Sequence, residues 1–290
     1  MNIGRKINPK LIEELKEGDL TILLDILKKN QHIFRLESRL GGKCYVYYKK
    51  CKILELGLRS AKIDSKYFEK GETLENIREL IKDSPKEYLK ITKDTVDLWL
   101  ERNPKDEFEA QQKIASINDE FTSDYLILDM EYNFSQKGIK KNERLKQAGF
   151  DLLGLNKTSG EIILFEVKKG LYALEKKAGI ASHIKDFEDY LILSGNKEKY
   201  ISNLVQDVKN ILNDKIKLGL LDESNIPYKI VSDRIDFVFI LDSTEKEKYK
   251  SIFKRQLKVL EEIRIKENIE VPIKGNYQTI YVTKDNYKLI

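Results

Sequence analysis

Residues 150–168 read FDLLGLNKTSGEIILFEVK, with an apolar run on either side of the polar segment NKTSG. Apolar runs of this length separated by turn-forming residues are typical of two antiparallel β-strands joined by a turn. Asp151 stands at the start of the first predicted strand, and Glu166 and Lys168 stand near the end of the second. Residues two apart in a strand share a face. The sequence therefore predicts a β-hairpin that brings three charged side chains together at one end.

Charges at the end of an apolar strand are costly to bury unless they pair or hold a metal ion. Asp151 and Glu166, with the backbone carbonyl of Val167, are hard oxygen ligands of the kind that Mg²⁺ or Mn²⁺ prefers. A bound divalent ion would polarise a phosphate and lower the pKa of a bound water. Lys168 would orient that water or stabilise the developing charge. The alternative is an ordinary ion-pair cluster on an edge hairpin.

Asp151 followed by the tripeptide Glu166–Lys168 at the end of a hairpin resembles the signature of the PD-(D/E)xK nucleases, the restriction-endonuclease-like superfamily. The resemblance covers roughly residues 105–265. It implies a mixed β-sheet flanked by helices and Mg²⁺-dependent hydrolysis of phosphodiester bonds. Phe150 stands where the nominal motif has proline, a position that varies widely in the family. Other tripeptides with the same spacing, such as residues 64–66, do not close an apolar strand.

Two further acids are candidates for the site. A predicted amphipathic helix over residues 105–117 precedes the hairpin, and the resemblance implies that an acid on this helix reaches the metal. Glu109 is the candidate for this acid and Glu107 the alternative, because the two lie on different faces of the helix and only one can point inward. The other interpretation is that both are surface residues, since glutamates in a first helical turn are commonly exposed and stabilised by the helix dipole. The predicted strand over residues 125–134 contains the other candidate, Glu131. Its Glu-Tyr pair, followed by a basic loop and then Asp-Leu-Leu, is similar to one branch of the superfamily, which cuts branched, mismatched or single-stranded DNA. This similarity supports Glu131 as an accessory acid.

The pattern along the chain predicts an α/β protein in two parts. Residues 1–103 would form an N-terminal α+β domain with two short helices, a small meander and further helices. Residues 104–290 would form the nuclease-like domain, since Asn103-Pro104 is typical of a connection between elements. Within the second domain, His183 lies near the start of a predicted helix, where a lone histidine is more often structural or exposed than functional.

Basic segments set the expectations about partners. The 290 residues carry a net charge of +5, which permits nucleic-acid binding without requiring it. The loop over residues 136–146 is rich in lysine and leads into Asp151, so it either holds a phosphate backbone or is simply solvated. Tyrosines and lysines alternate over residues 43–52, where they either bind bases and phosphates or form a core face and a solvated face.

We therefore expect a Mg²⁺- or Mn²⁺-dependent endonuclease that acts on DNA in repair, restriction or defence, with RNA as the alternative substrate. A homodimer would suit an enzyme that cuts both strands. The rival interpretation is a non-catalytic nucleic-acid-binding or protein-interaction module that keeps the fold. No apolar run approaches the roughly 20 residues that span a bilayer, and the N-terminal residues lack a signal peptide's apolar core. We expect no membrane partner and a cytoplasmic protein.

Overall fold

A computed structural model describes residues 4–69, 74–118, 123–175, 179–227, 229–270 and 277–289. These ranges form a mixed α/β structure with two sheets. The first sheet has the order β1 (Phe34–Arg39), β2 (Lys43–Tyr48), β3 (Cys51–Gly57) and β4 (Ser60–Lys62). The second has the order β5 (Tyr125–Asn133), β6 (Gly149–Asn156), β7 (Glu161–Lys169), β8 (Val231–Asp242) and β9 (Gln278–Val282).

The helices of these ranges are α1 (Pro9–Glu17), α2 (Thr21–Lys29), α3 (Ile77–Asp83), α4 (Pro85–Arg102), α5 (Asp106–Ile117), α6 (Tyr172–Glu175), α7 (Ile180–Glu188), α8 (Lys197–Lys217) and α9 (Lys246–Glu267). In the part of the chain that the structure describes, none of them combines the length and the apolar character that crossing a membrane requires.

The second sheet is mixed. Strands β5, β6 and β7 are antiparallel neighbours, whereas β8 and β9 run parallel to β7. Parallel neighbours need long crossovers, and here α7 and α8 connect β7 to β8 while α9 connects β8 to β9. The predicted hairpin is confirmed as β6 and β7. It lies inside the sheet, because β5 pairs with β6 and β8 with β7, so the edge position in the alternative interpretation is wrong, while its ordinary ion-pair cluster stays a prediction.

The two faces of the second sheet bury different helices. One face packs against α7, α8 and α9 through a large apolar cluster that includes Leu164 and Phe239. The opposite face packs against α5 and against the C-terminal residues Tyr287 and Leu289. The second sheet is therefore the middle of three layers. Both faces of β7 are buried, which explains why its sequence is apolar almost throughout.

The first sheet has its own core with α1, α2 and α4, and it meets the second sheet through buried charges. Asp129 on β5 accepts hydrogen bonds from Arg5 at 2.7 Å and from Arg39 at 2.5 Å. Lys215 on α8 pairs with Glu37 on β1 at 2.9 Å. All five side chains are buried or nearly so. Such pairs hold two surfaces in one arrangement, because separating them would leave unpaired charges out of water.

The sequence left open whether the tyrosines of β2 bind bases or form one face of the core. Tyr47 and Tyr48 are only 3% and 6% exposed, so they belong to the core and have no face available for a base. Tyr45 is half-buried, and the charged ends of Arg39 and Lys52 lie over its ring. The core alternative is therefore correct for Tyr47 and Tyr48.

Candidate active site

The turn between β6 and β7 fixes the register of the hairpin. The side-chain oxygen of Asn156 accepts hydrogen bonds from the backbone N–H groups of Thr158 and Ser159, both at 2.9 Å. Gly160 has a φ of +73°, and a Cβ there would lie 1.9 Å from the carbonyl oxygen of Lys229. A glycine is therefore required at this position.

That register places Asp151 opposite Glu166, because the last paired residues before them are Leu152 and Phe165. One carboxylate oxygen of Asp151 accepts a hydrogen bond from the backbone N–H of Val167 at 2.9 Å. The N–H and C=O of one residue in a strand point toward the same neighbour. The Val167 carbonyl therefore faces the Asp151 side of β7, as its predicted role as a metal ligand requires.

Glu166 is the most unfavourably placed of the acids at this end of the hairpin, which form one group with Lys168 and its neighbours. Its side chain is 4% exposed, and Oε1 accepts a hydrogen bond from Lys168 Nζ at 2.8 Å. Oε2 is buried and has no hydrogen-bond partner among the described residues. Burial, and next the charge of Asp151, raise the pKa of Glu166 well above its ordinary value, although Lys168 opposes this. An orphaned buried oxygen costs about 1–3 kcal/mol, which either a proton or a cation would relieve.

Lys168 and His183 complete the inner group. The prediction that Glu166 and Lys168 share a face is confirmed by their contact, and Lys168 is 6% exposed. His183, near the start of α7, lies 3.0 Å from Glu166 Oε1 and 3.2 Å from Lys168 Nζ, measured from Nε2. A lone histidine carries no spacing signal in the sequence. Only the packing of α7 on the sheet brings it to the site.

The two glutamates of α5 are separated as their spacing predicted. Glu107 Oε1 accepts a hydrogen bond from the backbone N–H of Lys169 at 3.2 Å, and burial, opposed by Lys168, raises its pKa. Glu109 is 52% exposed and pairs with Lys113 at 2.8 Å. The structure therefore brings Glu107 to the group and leaves the preferred candidate Glu109 at the surface. Helical periodicity separates the two faces but does not say which one meets the sheet.

Glu131 lies beside Asp151 in the neighbouring strand. The flanking pairs, Met130 with Leu152 and Tyr132 with Phe150, place Glu131 directly across from Asp151. Its φ of +56° is unusual for a residue with a side chain. The side chain is 44% exposed, so Glu131 meets solvent beside Asp151.

Sequence reasoning missed Lys50 as a site residue. It lies in the turn between β2 and β3, and its Nζ is 3.1 Å from Asp151 Oδ1 and 3.6 Å from Glu131 Oε1. Its side chain is 10% exposed. Burial alone would lower the pKa of Lys50, but the charges of Asp151 and Glu131 outweigh burial and raise it. The ammonium is therefore a fixed positive charge beside the predicted metal ligands.

The basic loop over residues 136–146 connects β5 to β6 at the end of the sheet that carries Glu131 and Asp151. Its lysines and Arg144 are exposed. The predicted role in binding a phosphate backbone is compatible with this position and stays a prediction.

The group fits a divalent ion only in part. In the ranges that the structure describes, no three His, Cys, Asp or Glu side chains are grouped so that they could hold a metal. Asp151 and Glu166 supply two carboxylates, and a third ligand would have to be the Val167 carbonyl. The orphaned Oε2 of Glu166 is the feature that suits a cation, since it is an oxygen acceptor with no donor in the part of the chain that the structure describes.

No protein-family model, no curated protein and no solved structure matches this chain. The α/β fold and the geometry of the site are therefore the grounds on which a function can be proposed.

Proposed function

We propose that the chain is a Mg²⁺- or Mn²⁺-dependent nuclease that hydrolyses phosphodiester bonds of DNA, with RNA as the alternative substrate. A restriction-endonuclease-like core would comprise α5, the second sheet and α7 to α9. The antiparallel strands β5 to β7 followed by parallel β8, with helices on both faces, support the resemblance to the PD-(D/E)xK nucleases. Repair, restriction and defence all remain compatible biological roles.

The observation that carries the proposal is the buried carboxylate of Glu166. Other buried carboxylate oxygens of the described residues also have no hydrogen-bond donor. Glu166 differs from them because a second carboxylate, Asp151, lies opposite it, so that two acids meet with one oxygen unpaired. A metal ligand needs an oxygen that the protein does not satisfy. The raised pKa of Glu166 agrees with this, because burial and Asp151 make its charge unfavourable until a cation is close.

Each side chain would then have a defined task. Asp151, Glu166 and the Val167 carbonyl would hold the ion, which supplies a Lewis acid for the phosphate and a water of lowered pKa. Lys168 has three N–H donors, one of which it donates to Glu166, so it can orient the attacking water with another. His183 limits the movement of Lys168 because it contacts both Lys168 and Glu166.

One observation favours the rival function, a non-catalytic nucleic-acid-binding or protein-interaction module. Both carboxylate oxygens of Asp151 already have partners within the protein, the Val167 N–H and the Lys50 ammonium. An Asp whose oxygens are both engaged can serve as a structural residue. Carboxylate oxygens have spare lone pairs, so this observation does not stop Asp151 from also binding a metal.

Cleavage assays separate the two functions. The purified protein is incubated with circular DNA, branched DNA and single-stranded RNA in Mg²⁺ or Mn²⁺, beside Asp151→Asn and Lys168→Met. We expect metal-dependent cleavage that falls by at least about 100-fold in both variants. The matched controls are Asp64→Asn and Lys66→Met. This acid-x-Lys pair has the spacing of Glu166 and Lys168 and a 3.0 Å ion pair, and its side chains are 31% and 52% exposed.

The controls should cleave like the wild type. If the wild type binds nucleic acid but does not cleave it with either metal, the rival module is the better description. If the site variants cleave as fast as the wild type, any activity comes from elsewhere and the nuclease proposal is wrong.

A further inference from the structure

The turn between β2 and β3 has an unusual backbone for its sequence. Tyr48 pairs with Cys51, so Lys49 and Lys50 are the two central residues of a two-residue turn. Their φ values are +48° and +61°, the pattern of a type I′ turn, which normally uses Asn-Gly. A lysine in the left-handed region costs about 1–2 kcal/mol. Residues in such conformations persist where the surroundings hold them, often at functional sites.

The surroundings hold Lys50 at three points. Its backbone N–H donates a hydrogen bond to Gln112 Oε1 on α5 at 2.7 Å. Its ammonium lies 5.1 Å from the centre of the Phe108 ring, also on α5. The same ammonium donates a hydrogen bond to Asp151 at 3.1 Å. The turn between β2 and β3 is thus fixed between α5 and the β6–β7 hairpin, with the Lys50 ammonium directed at Asp151.

The position of the ammonium is one that a cation would be expected to occupy. Asp151 and Glu131 lie across from each other in neighbouring strands, and Lys50 Nζ lies within 3.1 and 3.6 Å of their carboxylates. Sites with two metal ions use carboxylates to hold a second ion about 3.5–4 Å from the first, where it offsets charge on the leaving oxygen. In this chain the ammonium of Lys50, from the turn between β2 and β3, lies between two carboxylates as such a second ion would.

We propose that Lys50 is the built-in second cation of the active site: its ammonium stands between Asp151 and Glu131, so that the site takes one divalent ion instead of two. This inference rests on the proposed function. Of the three ammonium donors, one is used on Asp151 and the contact to Glu131 is longer, so a donor remains for a phosphate oxygen. Lys50 would therefore bind the phosphate on the side away from Lys168.

Counting bound metal ions tests this inference without measuring cleavage. Free Mn²⁺ is followed by electron paramagnetic resonance while Mn²⁺ is added to the metal-free protein. We expect one bound ion in the wild type and two in Lys50→Met, because methionine keeps the apolar stem but frees the two carboxylates. The double variant Lys50→Met/Glu131→Gln should return to one ion. Lys50→Arg, which keeps the charge, should also bind one.

The matched control is Lys49→Met. Lys49 has the same left-handed backbone in the same turn, but its ammonium pairs with Asp97 at 2.9 Å instead of with the site. This variant should bind one ion, as the wild type does. Circular dichroism shows whether each variant folds. If Lys50→Met does not fold, Glu131→Gln gives the second test. Glu131 pairs with Lys50 and is not among the proposed ligands of the first ion, so its removal should leave the single ion in place.

The outcomes distinguish this inference from the proposed function. If the wild type binds one ion that Asp151→Asn abolishes, and Lys50→Met also binds only one, the Lys50 inference is wrong while the nuclease proposal stands. If the wild type binds two ions, or if Glu131→Gln loses the ion, the Lys50 inference is likewise wrong while the nuclease proposal stands. If neither the wild type nor Lys50→Met binds Mn²⁺, the metal site itself is absent and both proposals are wrong.

Discussion

Replacing Asp129 with asparagine removes the carboxylate that joins the first sheet to the second. Asp129 is fully buried and accepts one hydrogen bond from Arg5 and one from Arg39, whose side chains are 4% and 8% exposed. Each guanidinium also donates to β5 itself, Arg39 to the Met130 carbonyl at 2.7 Å and Arg5 to the Glu131 carbonyl at 3.3 Å. The variant therefore leaves two buried positive charges without their counter-ion.

Removing one partner of a buried ion pair costs about 3–5 kcal/mol, because the remaining charge stays out of water. We expect a loss in this range for Asp129→Asn, since asparagine keeps one acceptor while two guanidinium groups lose the charge. For a chain of this length, 1 kcal/mol shifts the Tm by roughly 2 °C, so the expected fall in Tm is about 6–10 °C. The control Asp97→Asn removes a half-exposed acid that pairs with Lys49 and Lys93, and should cost about 1 kcal/mol or less.

Urea unfolding with two probes gives the measurement. Trp99, the only tryptophan of the chain, lies in α4 and packs edge-on against Tyr67 at 5.3 Å, so its fluorescence reports on residues 1–103. Far-UV circular dichroism reports on the whole chain. We expect coincident transitions in the wild type and separated transitions in Asp129→Asn. A loss of stability no larger than that of Asp97→Asn would refute the reasoning, since the buried pairs would then not couple the two parts.

Two further predictions concern the acids of the site. Glu107→Gln should slow cleavage by about tenfold or more while the surface variant Glu109→Gln leaves it unchanged; equal effects of the two variants would contradict the placement of α5. In the metal-free protein, the raised pKa of Glu166 means that the folded state holds this proton more tightly than the unfolded chain. The free energy of unfolding should therefore fall, relative to Glu166→Gln, as the pH rises above the unfolded pKa of about 4.3. Parallel pH profiles from urea titrations would contradict this.

Local patterns predicted the centre of the candidate site. Alternation along β7 placed Glu166 and Lys168 on one face, and the turn residues placed Asp151 at the same end of the hairpin. Both inferences need only the period of a strand and the chemistry of a turn. The mixed sheet was implied by the resemblance to the PD-(D/E)xK nucleases, and the structure has a mixed sheet. For the hairpin and the shared face of Glu166 and Lys168, the short-range pattern and the tertiary structure agree, so the sequence was sufficient.

Lys50 could not be predicted in the same way, because it meets Asp151 from 101 residues away in the sequence. Lys-Lys is also not a sequence signal for a type I′ turn, which is usually marked by Asn-Gly. The choice between Glu107 and Glu109 depended on which face of α5 meets the sheet. His183 depended on the packing of α7. Each of these positions is determined by contacts between elements, and a single sequence does not record such contacts.

Several locally unfavourable features are concentrated at one end of the second sheet. Glu131 and Lys50, whose ammonium reaches this end, have positive φ values, and Glu166 is a buried acid with an oxygen that has no partner among the described residues. Natural sequences usually avoid such features except where function requires them. They also need support from their surroundings.

That support comes largely from the first sheet and its junction. Arg5 donates a hydrogen bond to the Glu131 carbonyl, and the Lys50 ammonium donates one to Asp151. Residues 104–290 alone would keep Asp151, Glu166 and Lys168 but would lack Lys50 and also Arg5 and Arg39, which donate hydrogen bonds to the Glu131 and Met130 carbonyls of β5. We infer that residues 1–103 help to build the candidate site, because they supply one of its charges and fix the backbone of one of its acids.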